Sequence, residues 1–214
     1  MKIKAVAFDM DGLIFDTEDT YFKTGEILLA RRGEVYTKEL DAECLGRLPR
    51  VCFELYKSKF GFPESWQELE IESNNIFIEL LDEGFSTMPG LLELLDHLEQ
   101  RNIPKGICTS SSRRIATEVL QRKDLMKRFD FVFTSNDVTR GKPDPEFYLK
   151  AAERFGIDPA EMLVLEDSPA GCQAGASAGA FVIAVLATHN AHYTFPAADK
   201  VVNALNDPQV IELF

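Results

Sequence analysis

Asp9 and Asp11 stand one residue apart where an apolar run, Ile3 to Phe8, gives way to a turn containing Gly12. The run is short enough to be a buried strand. In an open parallel sheet, ligands bind at the strand ends. Two carboxylates placed there are close enough to share a divalent cation, or to divide the duties of nucleophile and acid between them. Taken alone, an Asp-x-Asp-Gly turn reads equally well as a strand ending in polar surface residues. What lies downstream decides between the two.

Pro104 to Ser112 is a strand that ends in a run of hydroxyls, Thr109, Ser110, Ser111 and Ser112, and opens a helix. Hydroxyls and free backbone N–H groups at a helix N-terminus make an anion site, although each could also be a simple cap. Gly141-Lys142-Pro143-Asp144-Pro145 is a rigid turn that presents one lysine before a helix. The strand Met162 to Leu165 then ends in Glu166-Asp167-Ser168-Pro169-Ala170-Gly171, repeating the arrangement of Asp9 and Asp11. Each motif has an ordinary alternative. Together, acids, hydroxyls and a lysine at strand ends form the set needed to hold a phosphoryl group, its metal and its nucleophile.

The elements that must position these groups fall into two styles. After Asp16, an expected N-cap, Thr17 to Arg32 reads as a helix with Glu18 and Asp19 in its first turn. Helical spacing continues through Leu40 to Leu45, Val51 to Phe60 and Trp66 to Leu81, with Gly61-Phe62-Pro63 breaking two of these segments. No strand is expected there. From Ser86 onward strands and helices alternate: strands at 104–108, 131–134, 162–165 and 181–185, helices at 91–101, 113–122, 145–155 and 170–178. That alternation predicts βαβ units and an α/β fold with a Rossmann-like parallel sheet. The first strand belongs with it. Residues 1–16 and 86–214 are therefore expected to form the core, with 17–85 as an inserted all-helical cap whose two crossings act as hinges and which serves as a lid. The tail from Ala187 onward is assigned no chemistry.

A chain of 214 residues can hold one sizeable core with a small inserted domain. Hydrophobic residues at 45% and charged ones at 27% are ordinary globular proportions. A net charge of −12 repels phosphodiester backbones and anionic lipid, which argues against nucleic-acid and membrane partners. No apolar stretch approaches transmembrane length, and the N-terminus has no signal-peptide architecture. Cys44, Cys52, Cys108 and Cys172 lack zinc spacing and read as reduced thiols of a cytoplasmic protein. His97, His189 and His192 are expected in loops or on the surface, outside any ligand cluster.

With these motifs in order, the chain resembles a haloacid dehalogenase superfamily hydrolase of the branch with a small helical cap. The resemblance rests on Asp9-x-Asp11-Gly12, on Thr109 after an apolar strand, on Lys142 in a Gly-Lys-Pro-Asp turn, and on Glu166-Asp167 in a Glu-Asp-Ser-x-x-Gly turn. It covers essentially the whole chain, the cap least specifically. It implies that Asp9 attacks phosphorus to form an aspartyl-phosphate. Asp11 would protonate the leaving alcohol and then activate water. Mg²⁺ would be held by the Asp9 carboxylate, the Asp11 carbonyl and Asp167, assisted by Glu166. Lys142, Thr109 and the Ser110 N–H would bind the transferring oxygens. The implied partner is a small phosphorylated metabolite: a sugar, deoxysugar or nucleoside monophosphate, as in the pseudouridine-phosphatase group. The sequence is silent on oligomeric state and compatible with a monomer.

The alternative is a β-phosphoglucomutase-type sugar phosphomutase, which shares the fold and these motifs. Such mutases carry a His in the first cap helix, where this chain has Tyr21. They also bind a second phosphate with cap cations, yet between Glu64 and Glu99 lie ten acids and no Lys or Arg. Arg47 and Arg50 remain as candidate distal anion ligands. Phe15, Tyr21 and Trp66 are candidates to line the leaving-group side, although Trp66 is equally a core residue.

Overall fold

A computed structural model describes residues 2–214; Met1, the first residue of the expected core segment, lies outside them. Every residue of β1 (Ala5–Phe8) is buried, as a strand flanked by neighbours on both sides and covered on both faces must be. β2 (Lys105–Cys108), β3 (Phe131–Phe133), β4 (Met162–Glu166), β5 (Phe181–Val185) and β6 (Lys200–Val202) complete one sheet. Its order is β3-β2-β1-β4-β5-β6, and every neighbouring pair is parallel. The chain builds outward from β1 in one direction and then returns to build in the other. The C-terminal ends of β1, β2 and β4 thus converge on the switch point where such sheets bind ligands.

Side chains alternate across the sheet and sort into two cores. Val6 and Phe8 join Ile107, Leu163 and Leu165 under α5 (Leu91–Gln100) and α6 (Arg113–Arg122). Ala7 joins Cys108 and Val164 under α7 (Glu146–Phe155) and α8 (Pro169–Ala178). Four helices lie between β1 and α5: α1 (Glu18–Ala30), α2 (Lys38–Cys44), α3 (Pro49–Phe60) and α4 (Trp66–Leu80). They form a third apolar cluster around Leu28, Leu29, Phe53, Leu69 and Ile76. The two connections joining this block to the sheet run side by side: the Asp16 amide donates to the Ser86 carbonyl and the Met88 amide to that of Ile14, at 3.0 and 2.8 Å.

Three expectations change. β6 and α9 (Pro208–Ile211) lie in the tail that periodicity left unassigned; at three and four residues they are too short to show a period. Helix α1 is capped by Thr17 rather than Asp16, without a side-chain capping bond, because the Thr17 hydroxyl bonds Asp11 instead, at 3.0 Å. Phe15 is fully buried and packs edge-on against Phe85, 5.6 Å between centroids. It is core and lines no cavity wall. Trp66 packs against the helical cluster for the same reason: an apolar ring at the start of an amphipathic helix turns inward.

Candidate active site

Asp9 follows β1 directly and is anchored there by its amide, which donates to the Leu165 carbonyl at 3.0 Å. Its carboxylate meets the Lys142 ammonium, delivered from the turn after β3. Lys142 also donates to Glu166 Oε1 at 2.6 Å and to the Cys108 carbonyl at 3.0 Å. Three acceptors fill its three donor positions, and its side chain is 1% exposed. Burial by itself would depress this lysine; the Asp9 and Glu166 carboxylates outweigh it and hold the ammonium above its ordinary pKa. Burial pushes Asp9 well above the usual carboxylate range, and Lys142 opposes that only in part.

Asp11 sits under three hydroxyls. Thr17 donates to Oδ1 at 3.0 Å, and Ser111 and Thr109 donate to Oδ2 at 2.6 and 3.3 Å. Its pKa is raised by burial, against the pull of those three bonds. Gly12, at φ +77°, turns the chain just after Asp11, and a Cβ there would collide with the Asp167 carboxylate. Thr109 leaves β2 with its amide on the Phe133 carbonyl, 2.9 Å away. Ser110 reaches across to the helical block, donating to the Gly46 carbonyl at 2.7 Å.

Glu166 and Asp167 end β4 and divide different duties. Glu166 is fully buried. Its Oε1 accepts from Lys142 and from Tyr148 at 2.6 Å each, and its Oε2 accepts from the Asp167 amide, the Ser168 amide and the Ser168 hydroxyl at 3.0 to 3.2 Å. A carboxylate has about four lone-pair positions, and five donors share them. Glu166 offers an oxygen within 4.8 Å of those of Asp9 and Asp167, and with five donors on its carboxylate it also holds Lys142 and the turn. Gly171 makes room for it, since a Cβ there would overlap the Glu166 carboxyl group. Asp167 keeps an oxygen free, and burial, then Glu166, raises its pKa.

Two groups missed in the sequence complete the site. His189 Nε2 lies 2.8 Å from Asp167 Oδ2, so the expectation that no histidine joins an acidic cluster is corrected. Glu18, His189 and Asp167 offer ligand atoms within 4.8 Å of one another. Burial and then Asp167 push Glu18 up to about 8. Asn190, wholly buried, donates to the Asp167 and Val185 carbonyls at 2.9 and 3.0 Å. Both residues follow β5, another C-terminal strand end, and position in the sheet was the only signal that could have found them.

Asp9, Asp11, Thr109, Ser110 and Asp167 open into one cavity of about 170 Å³. Its far wall comes from the helical block, with Tyr36, Asp41, Cys44, Phe53 and Tyr56. Tyr36 donates to Asp41 there at 2.8 Å. Tyr21 and Arg47 line the cavity; Arg50 is exposed and does not. The four cysteines are free. Among the described residues no helix is long and apolar enough to cross a membrane.

Comparison with known proteins agrees with this geometry. Over 181 residues the chain is 35% identical to a phosphorylated carbohydrates phosphatase of Thermotoga maritima, covering 83% of this chain and 82% of the relative. A probable pseudouridine-5'-phosphatase of Drosophila melanogaster is 34% identical over 190 residues, 86% of this chain and 82% of its own. Among solved structures, CbbY from Rhodobacter sphaeroides in complex with phosphate superposes with a TM-score of 0.88 over 96% of both chains at 21% identity, a likeness of fold. A β-phosphoglucomutase from Clostridium difficile gives 0.82 at 27% identity over 95% of this chain and 92% of its own. Residues 6–185 match the haloacid dehalogenase-like hydrolase model, and with acids, hydroxyls and lysine gathered at one edge of its parallel sheet, the chain belongs to that family.

Proposed function

We propose that this protein is a Mg²⁺-dependent phosphatase that hydrolyses a small phosphate monoester through an aspartyl-phosphate on Asp9. The observation that carries this reading is the buried Asp9 carboxylate, held by Lys142 at the floor of a cavity, with Asp11 two residues on under three hydroxyls. The Asp9 oxygen that Lys142 does not hold attacks phosphorus, and Asp11 gives its proton to the departing alcohol oxygen. Asp11 then takes a proton from water as that water attacks the acyl-phosphate, which releases phosphate and restores Asp9. Thr109 and the Ser110 N–H orient the transferring oxygens, and Lys142 restrains the nucleophile. Helices α1 to α4 act as the cap that excludes water.

The residues fit a hard divalent cation. Asp9, Glu166 and Asp167 crowd three carboxylates around the single ammonium of Lys142, an excess of charge that a cation offsets. Asp9, Asp167 and the Asp11 carbonyl would hold it. When bound, it supplies the positive charge that lets a carboxylate approach a phosphate dianion. Excess EDTA is expected to abolish phosphate release from a panel of sugar and nucleoside monophosphates, and Mg²⁺ to restore it. Mg²⁺ at a hundred times its Kd should also stabilise the fold by about 2.7 kcal/mol in thermal unfolding. Full turnover in EDTA would overturn the reading.

The cavity also bears on the mutase alternative. Arg47 is its one Lys or Arg among the described lining residues, too little to bind a second phosphate dianion well. A sugar monophosphate is expected to exceed its bisphosphate in kcat/KM by at least about tenfold, or roughly 1.4 kcal/mol. The reverse order would favour the mutase.

A further inference from the structure

Tyr21 is absorbed by none of the roles above. It lies in the first turn of α1, with its ring against Phe77 of α4, 4.4 Å between centroids. Its hydroxyl is 2.6 Å from Ser111 Oγ, ninety residues away in sequence and on the sheet side of the cavity. Ser111 Oγ in turn is 2.6 Å from Asp11 Oδ2. Proton counting fixes the direction of this chain whenever Asp11 is ionised. A serine hydroxyl has one proton, and an ionised carboxylate has none to give. Ser111 therefore donates to Asp11 and accepts from Tyr21. Burial raises the Tyr21 phenol well above its ordinary pKa, so it keeps the proton it donates.

We propose that Tyr21 is a positioning residue that, through the Ser111 hydroxyl, holds Asp11 in place to protonate a poor leaving group. The proposal rests on the phosphatase reading and on Asp11 as its acid. The same three oxygens serve Asp11 in both halves of the reaction. While Asp11 carries its proton, Ser111 can accept from it and donate to Tyr21. Once the proton has gone to the alcohol, the polarity reverses without movement of a heavy atom. Thr109 bonds Asp11 from the end of β2, and Thr17 bonds it from the N-cap of α1. Tyr21 lies within α1, which packs on α4, so its bond to Ser111 ties the setting of Asp11 to the placement of the helical block.

Two esters separate this role from general weakening. An alkyl phosphate such as glycerol phosphate departs as a strongly basic alkoxide and needs the proton. p-Nitrophenyl phosphate departs as a stabilised phenolate and does not. Tyr21→Phe keeps the ring and its packing on Phe77. It is expected to lower kcat on the alkyl ester by about tenfold or more, part of the 10²–10⁴ that a positioned acid contributes, with KM within about threefold. The ratio of alkyl to aryl kcat/KM, to which the shared hydrolysis of the aspartyl-phosphate does not contribute, should fall by at least about fivefold. Ser111→Ala should show the same pattern, Ser111→Thr should recover it, and the double variant should be no worse than Ser111→Ala, because both groups act in one chain. Equal losses on both esters, a change confined to KM, or additive losses would overturn the proposal. A wild-type protein that turns over neither ester would overturn the phosphatase reading itself, a result distinct from these.

Discussion

Asp9→Asn is expected to bring phosphate release to background, a loss of at least about a thousandfold, as removal of a covalent nucleophile generally does. The amide is nearly isosteric with the carboxylate but offers no anionic oxygen to attack phosphorus. The fold should survive: Asp9 is held by its own amide on Leu165 and by the strand that precedes it, and Lys142 keeps Glu166 as a counter-ion. The measurement is phosphate release beside a thermal melt. In the wild type, acid quenching during turnover should trap phosphate on the peptide containing Asp9, and the variant should show none. Residual activity within about tenfold of wild type would remove Asp9 from its role.

The second large effect falls on stability. Lys142→Met removes the ammonium between Asp9 and Glu166 and leaves two buried carboxylates facing each other. Breaking a buried ion pair by deleting one partner costs about 3–5 kcal/mol, and here one ammonium serves two acids and a carbonyl. Urea unfolding of the metal-free protein should read that loss directly. Adding Glu166→Gln to Lys142→Met should recover part of it, because the amide carries no charge to bury unpaired. A loss below about 1 kcal/mol would mean that Lys142 is not the electrostatic keystone of this strand edge. Lys142→Arg should not substitute, since a planar fork cannot reach three acceptors arranged around one point.

What was legible in the sequence divides along a physical line. Strand-end chemistry was readable because a parallel sheet gathers its C-terminal ends wherever it forms. Asp9, Thr109, Lys142 and Asp167 could therefore be placed together before any coordinate. α6 and β5 fall at the expected residues, since amphipathic spacing and a buried run mark them strongly. Hydrogen-bond partners were not legible. Nothing in the letters around Glu166 says that five donors will converge on it, nor that Thr17 will bond a carboxylate rather than its own helix. His189 and Asn190 stayed hidden because a loop after β5 has no period to betray it. The separation of Arg47 from Arg50 needed the course of the chain before α3, which three residues of spacing do not define.

The turn after β4 has a consequence for substitution. Gly171 has no left-handed backbone to excuse it; it is glycine because the Glu166 carboxyl occupies the volume a methyl group would need. The two positions are sterically coupled. A glutamate at 166 in this rotamer excludes a methyl group at 171, and shortening 166 to aspartate would vacate that space. The five-residue interval between them is the imprint of an excluded volume, written in sequence by the side chain that fills it.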